Sequence, residues 1–239
     1  MKAEISKLKI KLFADGADIG NMIQMAALPH IAGLTTNPTL MFKAGVSDYQ
    51  KFAKSVLREI TNKPVSFEVF SDNLDEMERQ AKTIASWGEN VYIKIPVTNT
   101  SGLSTSTLVR KLVNEGTKVN VTAVFSETQV HAISKVLSNE VPSYVSIFAG
   151  RIADTGRDPL QIVKKTLSEL SSNSNCEVIW ASPRELLNVF QANEIGCHII
   201  TATPDILMKL NLVGKDLDEY SLETVKMFYN DAQKSGFSI

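Results

Sequence analysis

The chain is poor in the residues that most often build metal and redox sites. It has three histidines and two cysteines in 239 residues. Cys176 and Cys197 form no metal-type spacing. Each lies at the edge of an apolar run, which points to buried free thiols in a reducing compartment. His30, His131 and His198 fall in a loop, on a helix face and at a strand edge, where structural roles are expected. No apolar run reaches the roughly 18 residues of a spanning helix. The first ten residues, MKAEISKLKI, contain no continuous apolar segment of the kind a secretory leader needs. A cytoplasmic location is the expectation, and the sequon Asn120-Val-Thr122 carries no weight without a leader. An excess of either charge is also lacking: 25 basic and 26 acidic residues leave a formal net charge of -1. Neither nucleic acid nor an anionic membrane is therefore an expected partner. An anionic ligand would have to be held by local basic residues. No GxGxxG follows the first predicted strand, which removes the common dinucleotide fingerprint.

What is present centres on Glu89–Thr98, ENVYIKIPVT. Val91, Tyr92, Ile93, Ile95 and Val97 read as a strand buried on both faces, and Lys94 interrupts it. An ammonium in a dry sheet is costly, so burial is expected to lower its pKa. At the reference value of about 10.4, only roughly 0.04 % of lysine is neutral at pH 7. A fall to about 7.4 would leave roughly 30 % neutral. A neutral amine attacks carbonyl carbon, and Schiff-base chemistry follows. The alternative is a lysine whose stem crosses the strand end and whose head reaches water.

Around this strand the chain alternates. Strands are predicted at Leu8–Ala14, Ile31–Leu34, Val65–Phe70, the Lys94 segment, Lys118–Val124, Tyr144–Phe148, Glu177–Trp180 and His198–Thr201. Helices are predicted between them. Ser47-x-x-Gln50 and Ser126-x-x-Gln129 read as capping boxes. Asp72 and Asp75 read as first-turn acids. Gly116 reads as a helix terminator and Asp158-Pro159 as a helix start. A last helix is predicted over roughly Leu222–Gln233. Eight β/α units in 239 residues, with no linker or composition break, predict one domain over 1–239. The fold expected is an α/β single (β/α)₈ TIM barrel with an additional C-terminal helix. A doubly wound open sheet is the alternative, but it usually needs only five or six strands.

In such a barrel chemistry sits at the C-terminal strand ends. The polar residues placed there are Asp15, Asn37, Glu68, Lys94, Asn120, Thr122 and Ser146, with Arg151, Ser182 and Arg184 on the loops that follow. Taken singly, Asp15 and Ser182 could as well be helix caps. Spread over successive strand ends, the set fits a lined pocket. Lys94 could add to a ketone, lose water and leave an iminium, which draws electrons from a C–C bond. Asp15 and Glu68 could move protons. Ser182-Pro183-Arg184, read as a helix opening, and Arg151 could hold a phosphate.

These residues lie in motifs that together resemble one family. The motifs are Asp15-Gly16-Ala17-Asp18, GLTTNPTL at 33–40, SFEV at 66–69, VYIKIPVT at 91–98, NVTAVFS at 120–126, GRI at 150–152 and ASPR at 181–184. From about Lys11 to about Leu210 the chain resembles transaldolases, in the short branch shared with fructose-6-phosphate aldolases. The resemblance implies a class I aldolase-type barrel that uses no metal and no other cofactor. It implies Lys94 as the Schiff-base lysine and Asp15 as the acid/base for the donor's C4 hydroxyl. It gives Glu68 and Thr122 a proton-relaying water, and Asn37, Asn120 and Ser146 the dihydroxyacetone unit. Arg151, Ser182 and Arg184 would bind the phosphate of a sugar-phosphate substrate. At two positions the branches differ: the aldolases carry Gln where this chain has Glu68 and Tyr where it has Phe148. A phenol could help protonate the three-carbon carbanion and release it, whereas phenylalanine cannot. The expected function is therefore transaldolase, moving dihydroxyacetone from fructose-6-phosphate or sedoheptulose-7-phosphate to an aldose phosphate. The alternatives are an aldolase that releases free dihydroxyacetone and a non-catalytic sugar-phosphate-binding barrel. The chain departs from the family pattern at Gly16, where Thr is common, and at Ile147, where Pro is usual. From Asp216 on it matches little of the family. Members of the branch also imply a homo-oligomer (dimer, pentamer or decamer), to which the amphipathic last helix could contribute or which it could leave by covering its own barrel.

Overall fold

The computed structural model describes Ile5 and residues 7–237. Residues 1–4, 6, 238 and 239 lie outside it, including part of the N-terminal stretch read for a leader. The strands are β1 (Lys11–Asp15), β2 (Ile31–Thr35), β3 (Val65–Glu68), β4 (Val91–Pro96), β5 (Val119–Val124), β6 (Ser143–Ile147), β7 (Cys176–Trp180) and β8 (Ile199–Ala202). They close in sequence order into a parallel barrel, β8 pairing back onto β1. Each connection between parallel neighbours must cross over, and helices do so here. They are α1 (Ile19–Ala27), α2 (Pro38–Lys43), α3 (Tyr49–Glu59), α4 (Leu74–Ala85), α5 (Ser106–Asn114), α6 (Glu127–Ser134), α7 (Ala149–Ala153), α8 (Leu160–Glu169), α9 (Leu187–Glu194), α10 (Pro204–Met208) and α11 (Leu217–Ser235). The (β/α)₈ expectation is met. The short helices α2 and α7, wedged directly after β2 and β6, were not foreseen.

Two sets of side chains form the core. The larger lies between strands and helices and is dominated by Val, Ile, Leu and Met. The smaller fills the barrel lumen with Phe13, Tyr92, Tyr144, Ile179, Ala181 and Ile199. Tyr92 and Tyr144 stack with centroids 4.1 Å apart, and Phe13 meets Tyr144 edge-on at 5.8 Å. This aromatic plug fills the lumen beneath the C-terminal mouth. Gly33 makes room for it: a Cβ there would lie 2.5 Å from the Phe13 ring. The glycine of GLTTNPTL is thus a packing requirement of the lumen.

Several local expectations are corrected. The cap of α3 is Asp48, whose side chain accepts from Lys51 N at 2.9 Å. Ser47 loses that role because a carboxylate one residue later satisfies the first-turn N–H and also favours the positive end of the helix. Asn73 caps α4 and Asp75 stands in its first turn, but Asp72 lies before the helix and accepts from Thr100 N and Oγ1, both at 2.7 Å. The Ser126–Gln129 capping box forms in both directions. Asp158 Oδ1 accepts from Leu160 N at 2.9 Å, with Pro159 itself at the cap position of α8. Phe148 leaves β6 and stands at the start of α7. Ser182-Pro183-Arg184 does not open a helix, since α9 begins only at Leu187. α11 does not cover its own barrel: none of its residues is buried, and Phe228 is 63 % exposed.

Candidate active site

Barrel closure brings the predicted residues around one cleft of about 530 Å³ at the C-terminal mouth. Asp15, Asn37, Glu68, Lys94, Thr122, Ser146, Phe148, Arg151, Ser182 and Arg184 all line it.

Lys94 is 5 % exposed, so its head does not snorkel to bulk water. Its Nζ donates to Thr36 O at 2.8 Å and lies 3.2 Å from Glu68 Oε2. Thr36 is itself fixed: its N and Oγ1 both donate to Ser66 O, at 3.1 and 2.9 Å. Glu68 is placed by register, opposite Lys94 across the β3–β4 pair. Its carbonyl accepts from Tyr49 Oη at 2.7 Å. The burial of Lys94 was legible in its β-branched strand. The carbonyl that faces it comes from the β2–α2 turn and carries no sequence mark.

Asp15 ends β1. Its Oδ1 accepts from Thr35 Oγ1 at 2.7 Å, and its Oδ2 has a long contact, 3.4 Å, with Asn37 Nδ2. Burial pushes the carboxyl above the ordinary aspartate range. The Lys94 charge and the Thr35 hydrogen bond pull it back, and Glu68 pushes it up slightly. Asn37 also caps α2, its Oδ1 accepting from Leu40 N at 2.9 Å. Its β conformation is the one that the following Pro38 imposes.

On the opposite wall Ser146 Oγ donates to Asn120 Oδ1 at 2.7 Å, and Asn120 Nδ2 donates to Ser66 Oγ at 3.1 Å. Asn120 is fully buried behind Ser146 and is not among the residues that form the cleft wall. Thr122 reaches the cleft, and its buried hydroxyl has no hydrogen-bond partner among the described residues. The next residue, Ala123, has φ 56°, and the β5–β6 register slips between Val121 and Val124. This bulge re-aims the end of β5. Nothing in the composition of NVTAVFS announces a left-handed alanine.

The anion-binding candidates gather at the β6 and β7 ends. Arg184 donates from Nε to Asp154 Oδ1 at 2.9 Å, from Nη1 to Ser182 O and Oγ at 3.1 and 3.0 Å, and from Nη2 to Asp154 Oδ2. These bonds hold the Asp154 carboxyl below its usual range. Ser182 has φ 61°, and its carbonyl presses on Gly150, where a Cβ would lie 1.6 Å from the oxygen. Only glycine permits that approach. Arg151 lies over the Phe148 ring at 5.8 Å, and Phe125 flanks the same ring at 5.6 Å. Arg184 N is taken by Asn188 Oδ1 at 2.8 Å, so the helix-terminus cradle expected from SPR is replaced by side chains on a strained loop.

Sequence reasoning passed over Thr35, Lys43 and Thr201, which also line the cleft. The histidines lie elsewhere: His131 pairs with Glu169 at 2.7 Å, and His198 Nδ1 accepts from Val178 N at 2.9 Å. Both cysteines are buried and free, and burial pushes each thiol up to about 12. Among the described residues no group of three or more His, Cys, Asp or Glu is placed to hold a metal ion, and no helix is long and apolar enough to cross a membrane.

Comparison with known proteins bears on the family and the fold. The sequence profile of the family described as Transaldolase/Fructose-6-phosphate aldolase matches residues 12–239. A probable transaldolase of Thermoanaerobacter sp. (strain X514) is 34% identical over 231 residues, 96% of this chain and 100% of that protein. A probable transaldolase of Methanococcus maripaludis (strain C5) is 34% identical over 202 residues, 84% of this chain and 89% of that protein. In fold, the chain is similar to a putative lyase/mutase from Burkholderia cenocepacia J2315, with TM-score 0.59, 11% identity and coverage of 98% and 87%. It is also similar to an HpcH/Hpal aldolase/citrate lyase family protein of the same organism, with TM-score 0.58, 12% identity and coverage of 95% and 100%. At those identities the likeness is one of fold alone.

Proposed function

The chain belongs to the transaldolase/fructose-6-phosphate aldolase family, and we propose that within it the protein is a transaldolase working through a Schiff base on Lys94. One observation carries this reading: a buried lysine amine 3.2 Å from a carboxylate, inside a cleft that also holds a second carboxylate and two arginines.

Glu68 is close enough to take a proton from the Lys94 ammonium, which frees the lone pair for attack on the C2 carbonyl of a ketose phosphate. Loss of water gives an iminium. Asp15 then accepts the C4 hydroxyl proton, the C3–C4 bond breaks, and its electron pair flows into the iminium. The aldose phosphate leaves, and a three-carbon enamine stays on Lys94. An acceptor aldehyde reverses these steps, and water frees the lysine. Thr122 supports the reading because its orphan hydroxyl, together with Glu68, would hold the relaying water. Asn37 and Ser146 would hold the hydroxyls of the dihydroxyacetone unit, Asn120 acting through Ser146. Arg151, Ser182 and Arg184 would hold the phosphate. Phe148 favours transfer over free release, since no tyrosine is among the cleft residues to protonate the enamine. The exposed apolar side chains of α11 suit a contact with a second copy of the chain, so a homo-oligomer belongs to the same reading.

The test is borohydride reduction in the presence of fructose-6-phosphate, followed by mass analysis of the peptide carrying Lys94. A trapped three-carbon adduct on Lys94, lost in Lys94→Ala together with turnover, is expected. Wild-type turnover by Lys94→Ala would end the proposal.

A further inference from the structure

Asp15 is held by a hydroxyl from one side of its strand, which in turn meets a second hydroxyl arriving from the other side. Thr35 ends β2, and Thr201 lies in β8; these strands flank β1 on its two edges. Both threonines are buried. Thr35 Oγ1 donates to Asp15 Oδ1 at 2.7 Å, and Thr201 Oγ1 lies 2.5 Å from Thr35 Oγ1. A threonine hydroxyl has one proton. Once Thr35 gives its proton to the carboxylate, the second contact has only one direction, from Thr201 to Thr35. The order Thr201→Thr35→Asp15 Oδ1 is therefore set by counting donors.

We propose that Thr35 and Thr201 are positioning residues that assign the two oxygens of Asp15 different tasks, Oδ1 fixed as an acceptor and Oδ2 left to exchange the substrate proton. This rests on reading Asp15 as the group that takes the C4 hydroxyl proton.

Three features support the division. Oδ1 is already satisfied by a donor polarised by a second hydroxyl, and such chains strengthen one another. Among the described residues Oδ2 has only the 3.4 Å contact with Asn37 Nδ2, so it is the oxygen available to the cleft. The charged side chains around the cleft are Lys43 from α2, Glu68 from β3, Lys94 from β4, and Arg151 and Arg184 from the β6 and β7 ends. Lys94 favours the carboxylate and Glu68 opposes it. β2 and β8 contribute neutral hydroxyls on the Oδ1 side, which stabilise the carboxylate without adding a charge that would compete for the substrate phosphate.

The test compares pH profiles of kcat and KM for wild type, T35V, T35S, T201V and T201S, with D15N and borohydride trapping in parallel. Valine keeps the shape and removes the donor, and thermal melting checks the fold. Should a valine variant fail to fold, the alanine variant makes the same comparison. For T35V, kcat is expected to fall roughly ten-fold or more with KM within about two-fold, and the acidic limb to move to higher pH. T201V should move the limb in the same direction by less, because Thr35 still donates. The serine variants should restore both quantities, and the Lys94 adduct should form in all of them. An unchanged acidic limb in T35V and T201V, or serine variants no better than valine, would overturn the relay and leave the hydroxyls as packing. D15N at wild-type rate would instead remove the premise, and the relay with it.

Discussion

Lys94 and Glu68 stand opposite one another in register across the β3–β4 pair and form an ion pair, with Nζ and Oε2 3.2 Å apart, at the floor of the cleft. On the proposed mechanism the pairing ties the nucleophile to a base through the sheet itself and not through a mobile loop. Glu68→Gln keeps the shape and removes the base. It should lower kcat by about 10²-fold or more, in the range found for lost general bases. Rapid-quench measurement of adduct formation should place the loss at formation of the iminium. A Glu68→Gln enzyme that forms the adduct at the wild-type rate would assign the proton to another group.

Gly150→Ala should be more harmful than an ordinary helix substitution. Its Cβ would collide with Ser182 O at 1.6 Å, and Ser182 already holds a left-handed backbone while receiving Arg184. The loop must move, carrying the phosphate candidates Ser182 and Arg184 with it. The expected outcome is a stability loss of about 1–3 kcal/mol and a larger rise in KM for phosphorylated substrates than for unphosphorylated sugars. Denaturant melts and paired kinetics read the two effects separately.

Asp15→Asn should abolish turnover and yet stabilise the fold at neutral pH. Burial raises the Asp15 carboxyl in the folded state above its unfolded value. The favourable contribution of such a group is present below the unfolded pKa and is lost as pH rises through the folded one. Above the folded pKa the carboxylate is charged and costs stability, whereas an amide does not. A gain of about 1 kcal/mol corresponds to roughly 2–4 °C in Tm for a chain of this size. Melting curves against pH should show that gain shrinking as pH falls through the folded pKa toward the unfolded value.

Phe148→Tyr should open a leak. The ring packs against Arg151 and Phe125 and lines the same cleft as Lys94 and Ser146. A phenol there can protonate the enamine, and free dihydroxyacetone should appear from fructose-6-phosphate without an acceptor. An enzymatic assay for dihydroxyacetone reads this directly, with the wild type as baseline.

The alternation of strands and helices, and the depth of Lys94, were legible because a sheet covered on both faces leaves continuous β-branched runs. Asp15, Glu68, Ser146 and the arginines were legible because they are polar where strands end. Closure of the barrel decided the rest. Which strand-end side chain reaches the cleft depends on stagger around the ring, and that placed Asn120 behind Ser146. The same stagger brought Thr35 and Thr201 together across β1, although they are distant in the chain and unremarkable as residue types. The bulge at Ala123 and the strained Ser182 are imposed by tertiary contacts, against local preference. Ser182-Pro183-Arg184 resembles a helix start in composition, but the chain runs on to Leu187 before turning helical.

The most direct test is release of glyceraldehyde-3-phosphate from fructose-6-phosphate, measured with and without erythrose-4-phosphate. Release that requires the acceptor is the result predicted from Lys94, Glu68 and Phe148 in one cleft. Equal release without it, or none in either condition, would contradict the transaldolase reading.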